Sequence, residues 1–267
     1  MKITVFTSNQ PRHISLIHKL AGIADEVFAV QECSTLFPGE VQDSIYNQSP
    51  VMKKYFDRVT EAERRLFGDI AFIPTNVQTL GLKMGDIGQV VPERLIDALQ
   101  SDVYVVFGAS YIKSPLVDVL IENRAINIHL GVSPYFRGSS CNFWAIQDGY
   151  PELVGATIHL LSRGLDSGKI LFHALPAPGN YNNPFDLGMK AVEVSHAALC
   201  DRISNNTLFT HEPVAQDRSL EIRYSRYVDF NDAVAGKYLQ QMPSSQDIDA
   251  RLRQRKSLHS LVRPFYG

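Results

Sequence analysis

The stretch Ile3-Thr4-Val5-Phe6-Thr7-Ser8-Asn9-Gln10-Pro11-Arg12-His13-Ile14-Ser15-Leu16-Ile17-His18-Lys19-Leu20, followed by Glu26-Val27-Phe28-Ala29-Val30-Gln31, decides the fold. Ile3 to Thr7 is β-branched and aromatic and reads as a strand. Ser8 to His13 is a loop of turn formers. From Ile14 to Ile23 apolar residues recur at helical spacing (Ile14, Ile17, Leu20). Glu26 to Gln31 is a second strand. Strand, loop, helix and strand together open a doubly wound sheet.

Working outward, Asp102 to Phe107 is a near-continuous apolar run, as suits a central parallel strand covered on both faces. Ala125 to His129 and Lys169 to His173 read as further strands. Pro50 to Phe67 is an amphipathic helix with Met52, Tyr55, Phe56, Val59, Ala62 and Leu66 on its stripe. Pro92 to Leu99 is predicted as a helix, another starts at Ser114-Pro115, and Pro184 to Ile203 is a long one capped by Asn183. Beyond Asn205 the pattern changes. Leu208 to Pro213 and Glu221 to Tyr224 read as short strands, and Asp247 to Lys256 as a polar helix. The expected fold is α/β: a doubly wound, mostly parallel sheet with helices on both faces. Residues 1–204 would be the main domain and 205–267 a small C-terminal extension.

With 267 residues, 45% of them hydrophobic, the chain can bury a sizeable core. A net charge of -2 offers no basic field, which argues against a nucleic-acid partner. Cys33, Cys141 and Cys200 are too few and too scattered for a disulfide framework or a metal site, so no metal is expected. The N-terminus lacks a signal-peptide pattern and no apolar run is long enough to span a membrane, which places the protein in the cytoplasm.

Asn127 and His129 stand two apart, so on a strand they share one face. They close their strand at the carboxyl end, where α/β sheets place ligands. An amide, an imidazole and a carboxylate, here Asp166, suffice for acyl transfer onto an amine. A donor meets the oxyanion and a base removes the ammonium proton. Ser8, Asn9, Arg12 and His13 precede a helix N-terminus, a setting that favours a phosphorylated substrate. No Gly-x-Gly-x-x-Gly follows the first strand, which argues against a dinucleotide.

Two longer stretches carry a resemblance. Ala125-Ile126-Asn127-Ile128-His129-Leu130-Gly131-Val132-Ser133-Pro134-Tyr135-Phe136-Arg137-Gly138 is followed by His159-Leu160-Leu161-Ser162-Arg163-Gly164-Leu165-Asp166-Ser167-Gly168. Together they resemble the folate-dependent formyltransferase family, with its Asn-x-His strand end and its His-x6-Asp-x-Gly element. The resemblance implies Asn127, His129 and Asp166 as the catalytic set. His129 would be the base, Asn127 and His129 would stabilise the oxyanion, and Asp166 would orient the imidazole. His159 would be a supporting residue. N10-formyltetrahydrofolate would be the co-substrate, held by Phe107, Gly108, Ser110, Tyr111 and Ile112 on one side and by Arg163 and Leu165 on the other.

Where the family's commoner wording is Pro-Ser-Leu-Leu-Pro, this chain has Leu130-Gly131-Val132-Ser133-Pro134. The wording looks like the sugar-modifying branch, whose acceptor would be a nucleotide-linked amino sugar such as an O-antigen precursor, and a homodimer is the expected assembly. Methionyl-tRNA, glycinamide ribonucleotide or an amino acid stays open as the acceptor. So does a non-catalytic sugar-nucleotide-binding module on the same scaffold.

Overall fold

The structure, a computed structural model, describes residues 1–34, 49–69 and 71–267. The chain begins with β1 (Lys2–Ser8), α1 (Pro11–Ala21) and β2 (Glu26–Cys33). Pro11 starts α1 at a position where its missing N–H costs nothing, and the helix buries Leu16, Ile17 and Leu20 on the sheet. Helix α2 (Pro50–Phe67) is capped by Ser49, whose hydroxyl accepts from the Met52 amide at 3.0 Å. Next come β3 (Val77–Lys83), β4 (Val103–Val106), α3 (Leu116–Glu122) and β5 (Ile126–His129). They are followed by β6 (Phe136–Gly138), α4 (Cys141–Gln147), β7 (Ala156–Leu160) and β8 (Ile170–Leu175). The chain ends with α5 (Pro184–Ser204), β9 (Arg223–Ser225), α6 (Asp232–Gln240), α7 (Ser245–Leu258) and β10 (Phe265–Tyr266).

Eight strands form one sheet in the order β10-β8-β7-β5-β4-β1-β2-β3. From β3 to β5 every pairing is parallel, while β7 is antiparallel to both β5 and β8. The mostly parallel, doubly wound sheet expected from the sequence is present. On one face Leu16, Ile17 and Leu20 pack with Val105, Ile126, Ile128, Val192 and Leu199. On the other, Phe6, Phe28, Val30, Ile87 and Leu116 form a second layer. Each such aliphatic burial stabilises by about 1.5–3 kcal/mol.

Some elements differ from the sequence expectation. Residues 92–99 form two short 3₁₀ turns, Pro92–Arg94 and Ala98–Gln100, instead of a helix. Only Leu95 and Ala98 are buried there and Ile96 faces solvent, so no continuous stripe supports an α-helix. Residues 208–213 form turns; the pairing shifts to Val214, which bridges Ile170. The strand expected at 221–224 begins at Arg223 and pairs in parallel with β6 in a separate two-stranded sheet. Phe230, Ala235, Tyr238, Ile248 and Leu252, from beyond residue 204, share one apolar cluster with Met52, Phe143, Trp144 and Phe185. Residues 205–267 therefore pack onto the sheet domain rather than standing apart.

Candidate active site

Strands β1 and β4 lie side by side, and the chain winds from them in opposite directions, to β2 and β3 on one side and to β5 on the other. A crevice at the carboxyl ends is the outcome of that reversal. Here it is a cleft of about 1050 Å³, walled by Ser8, Arg12, Phe107, Asn127, His129 and Asp166 among others.

Alternation along β5 turns Ile126 and Ile128 into the core and leaves Asn127 and His129 on the opposite face, lining the cleft. The antiparallel register of β5 and β7 sets His159 opposite Asn127. The loop after β7 then brings Asp166 over both. That loop is tightly held. A side chain at Gly168 would place Cβ 1.7 Å from the Leu160 carbonyl oxygen, so the glycine of the Asp-x-Gly element is imposed by a close backbone approach. Gln216 Nε2 donates to the carbonyls of Asp166 (2.8 Å) and Gly168 (2.9 Å). Asp166 itself takes a left-handed φ of 45°, a conformation that a non-glycine residue keeps only where its surroundings enforce it.

His129 Nδ1 lies 3.3 Å from Asp166 Oδ2, and the histidine is only 7% exposed. Burial alone would lower the His129 pKa. The Asp166 charge and the adjacent Cys141 thiol outweigh it and hold the imidazole well above its usual range. Burial pushes the Asp166 carboxyl up, but the His129 charge and its hydrogen bond bring it far below the ordinary carboxylate range. Both directions describe one carboxylate–imidazolium pair. His129 Nε2 is buried without a hydrogen-bond partner among the described residues.

The orientation of Asn127 follows from its neighbours. His159 Nδ1 donates to the Leu160 carbonyl (2.8 Å), so its Nε2 accepts from Asn127 Nδ2 at 3.0 Å. The same amide nitrogen donates to Asp166 Oδ1 at 3.1 Å. Both amide protons are thus engaged in this state, and Oδ1 is the group left to face a ligand.

Sequence reasoning passed over the residues behind His129. A Cβ at Gly131 would meet Cys141 Cβ at 2.4 Å and His129 Nε2 at 2.7 Å. Glycine in place of the commoner serine therefore goes with a cysteine beside the His129 imidazole. The Thr157 hydroxyl donates to the Gly131 carbonyl (2.6 Å) and accepts from the Ser133 amide (2.8 Å). His173 Nε2 donates to the Ser133 carbonyl (2.8 Å), while its Nδ1 accepts from the Val262 amide (2.9 Å). Burial lowers the His173 pKa to about 4, which keeps this clamp neutral. The one available signal was the Gly131 departure from the common wording.

The remaining expected residues divide. Phe107, Gly108, Ser110, Tyr111, Ile112 and Leu165 line the cleft. Arg163 does not: its side chain is 78% exposed and pairs with Asp118 at 2.9 Å, while its carbonyl accepts from the Tyr111 hydroxyl at 2.8 Å. Ser8, Arg12 and His13 line the opposite wall, whereas Asn9 is not among the lining residues. Arg12 Nη1 is paired with Glu63 Oε1 at 2.8 Å, and the Arg12 amide donates to the same oxygen at 3.1 Å. Its charge is spent on fastening α1 to α2. His13 is buried, its pKa well lowered by that burial, and it donates to Thr7 at 2.8 Å while packing on Phe107. It forms part of the cleft wall. Among the described residues no cluster of His, Cys, Asp and Glu could hold a metal ion, and no helix is long and apolar enough to cross a membrane.

Residues 89–202 match the formyl transferase family model. A methionyl-tRNA formyltransferase from Synechococcus sp. (strain JA-3-3Ab) is 37% identical over 79 residues, covering 30% of this chain and 24% of the relative. The chain spans less than two thirds of the length of the curated relatives it matches. A crystal structure of a 4-N formyltransferase from Francisella tularensis superimposes with a TM-score of 0.53 at 18% identity, covering 99% of this chain and 91% of that one. The N-formyltransferase from Helicobacter canadensis, in complex with folinic acid and dTDP-3-aminofucose, gives a TM-score of 0.52 at 12% identity over 89% and 79% of the two chains. The family match spans Asn127, His129 and Asp166, and the fold is shared with these formyltransferases.

Proposed function

We propose that the protein transfers the formyl group of N10-formyltetrahydrofolate to the amine of a nucleotide-linked amino sugar. The observation that carries this reading is the buried His129–Asp166 pair, with Asn127 bridging to the carboxylate, at the floor of a cleft large enough for two substrates.

The amine nitrogen attacks the formyl carbon, a C–N bond forms and the carbonyl electrons move onto oxygen. Because Asp166 keeps His129 charged, the imidazolium acts first as a donor to the oxyanion. It serves as a base only after it has given that proton up. Asn127 Oδ1, left open by the engagement of Nδ2, suits an N–H of the incoming amine. This geometry favours Asn127 as an acceptor in place of the expected oxyanion donor. As the formyl carbon's bond to N10 breaks, the proton held on the imidazole or the amine passes to the departing nitrogen. No covalent enzyme intermediate is required.

The donor is assigned to the wall from Gly108 to Ile112, which lines the cleft. An amino-sugar acceptor is supported by the wording after His129 and by Tyr227, 64% exposed at the cleft, whose ring offers a stacking face for a nucleobase. The similar curated proteins are methionyl-tRNA formyltransferases, which makes the tRNA the second reading; a chain of net charge -2 is poorly suited to a polyanion. A cytoplasmic homodimer completes the proposal. The test is a panel: purified protein and N10-formyltetrahydrofolate are mixed with several nucleotide-linked amino sugars, methionyl-tRNA and glycinamide ribonucleotide. Mass spectrometry should find one added formyl group on a sugar. Formylation of the tRNA or the ribonucleotide alone overturns the acceptor assignment.

A further inference from the structure

Glu32 lies near the end of β2, and its side chain is fully buried. Its carboxylate gathers three backbone amides. Oε1 accepts from Gly85 (2.8 Å) and Ile87 (3.2 Å), and Oε2 accepts from Ser110 (2.6 Å). A buried carboxylate is tolerated only when its oxygens are saturated, and charge-assisted bonds of this kind are short and strong. Here backbone amides, rather than a side-chain cation, do the saturating.

The two segments so gathered are far apart in sequence but adjacent at the cleft. Met84 lies on one and Ser110 on the other, both line the cleft, and Ser110 Oγ lies 3.3 Å from Met84 Sδ. The chain from Gly108 to Ile112 has no regular secondary structure to fix its backbone. Ser110 instead owes its amide direction to Glu32.

We infer that Glu32 is a positioning residue for the donor pocket: it holds the 108–112 backbone in the shape that receives a reduced pterin. This rests on the folate reading above. Glutamine cannot replace it. One end of the amide would accept, but the other would present N–H groups to a backbone N–H, so one of the two segments must move. Aspartate keeps the charge but ends one methylene short, and should act in the same direction more weakly.

The test measures binding of 5-formyltetrahydrofolate by calorimetry to the parent, E32Q and E32D, with circular dichroism to check the fold. E32Q should bind folate about tenfold or more weakly and raise the donor KM. Its kcat at saturating donor and its acceptor KM should stay within about threefold of the parent. E32D should fall between, and carries the test if E32Q does not fold. Folded variants that bind folate as the parent does would remove Glu32 from this role and leave the functional reading standing. A parent that binds no reduced folate would overturn the functional reading and this inference with it.

Discussion

Two ion pairs, each with a member lining the same cleft, have opposite fates. His129 and Asp166 meet at 3.3 Å at the end of β5; Arg12 and Glu63 meet at 2.8 Å between α1 and α2. In the first, the second imidazole nitrogen, Nε2, has no hydrogen-bond partner among the described residues. In the second, the carboxylate takes both the guanidinium and the Arg12 amide, so the cation is already neutralised. A charged pair becomes chemistry when one member keeps an unsatisfied proton beside the reacting space. Otherwise it is a fastening, and a residue type together with its loop position does not reveal which.

The comparison breaks most visibly at Asp166. Asp166→Asn should lower kcat by about 10²–10⁴-fold while the fold persists, because the burial that lowers the His129 pKa is then opposed by Cys141 without the Asp166 charge. The sign is definite. In the parent, His129 stays charged through neutral pH, so the alkaline limb of the rate profile lies well above the usual histidine range. In the variant that limb should move to lower pH. The stability owed to the pair is fully present between the ordinary Asp and His values of 3.8 and 6.5. It is lost as pH falls through the lowered Asp166 pKa, and lost again as pH rises through the raised His129 pKa. An unshifted profile in the variant would break the comparison.

A smaller effect is expected at Gly131. Gly131→Ser places a Cβ against both Cys141 and His129, and should reduce kcat by about 10²-fold through displacement of the ring. Adding Cys141→Gly should recover part of the loss, and a strictly additive double variant would show that the two positions are not coupled.

The smallest functional effect is expected at the other pair. Arg12→Ala should change the acceptor KM by less than about threefold, yet cost about 1–3 kcal/mol of stability by stranding the Glu63 carboxylate, as a denaturant titration would measure. A tenfold rise in acceptor KM at unchanged stability would make Arg12 an anion binder after all.

The sheet was largely legible because continuous apolar runs such as Val103–Val106 are what a doubly covered parallel strand requires. Strand β3 was missed: at the sheet edge it stays mostly exposed, so it carries no buried alternation to read. Short elements such as β6 and β9 depend on each other across the chain, and no local pattern announces them. In the candidate site, Asn127 and His129 were legible because strand alternation fixes their common face. The roles of Arg12, Arg163 and Cys141 were not, because each is set by a partner distant in sequence: Glu63, Asp118 and His129.

The protonation state of His129 tests the account at its centre. Nitrogen-15 chemical shifts of its side chain, followed by NMR from pH 6 to 9 in the parent and in Asp166→Asn, report the charge directly. The parent should show an imidazolium with both nitrogens protonated at pH 7.5, and the variant a neutral ring at the same pH. A parent His129 that is already neutral at pH 7.5 would contradict it.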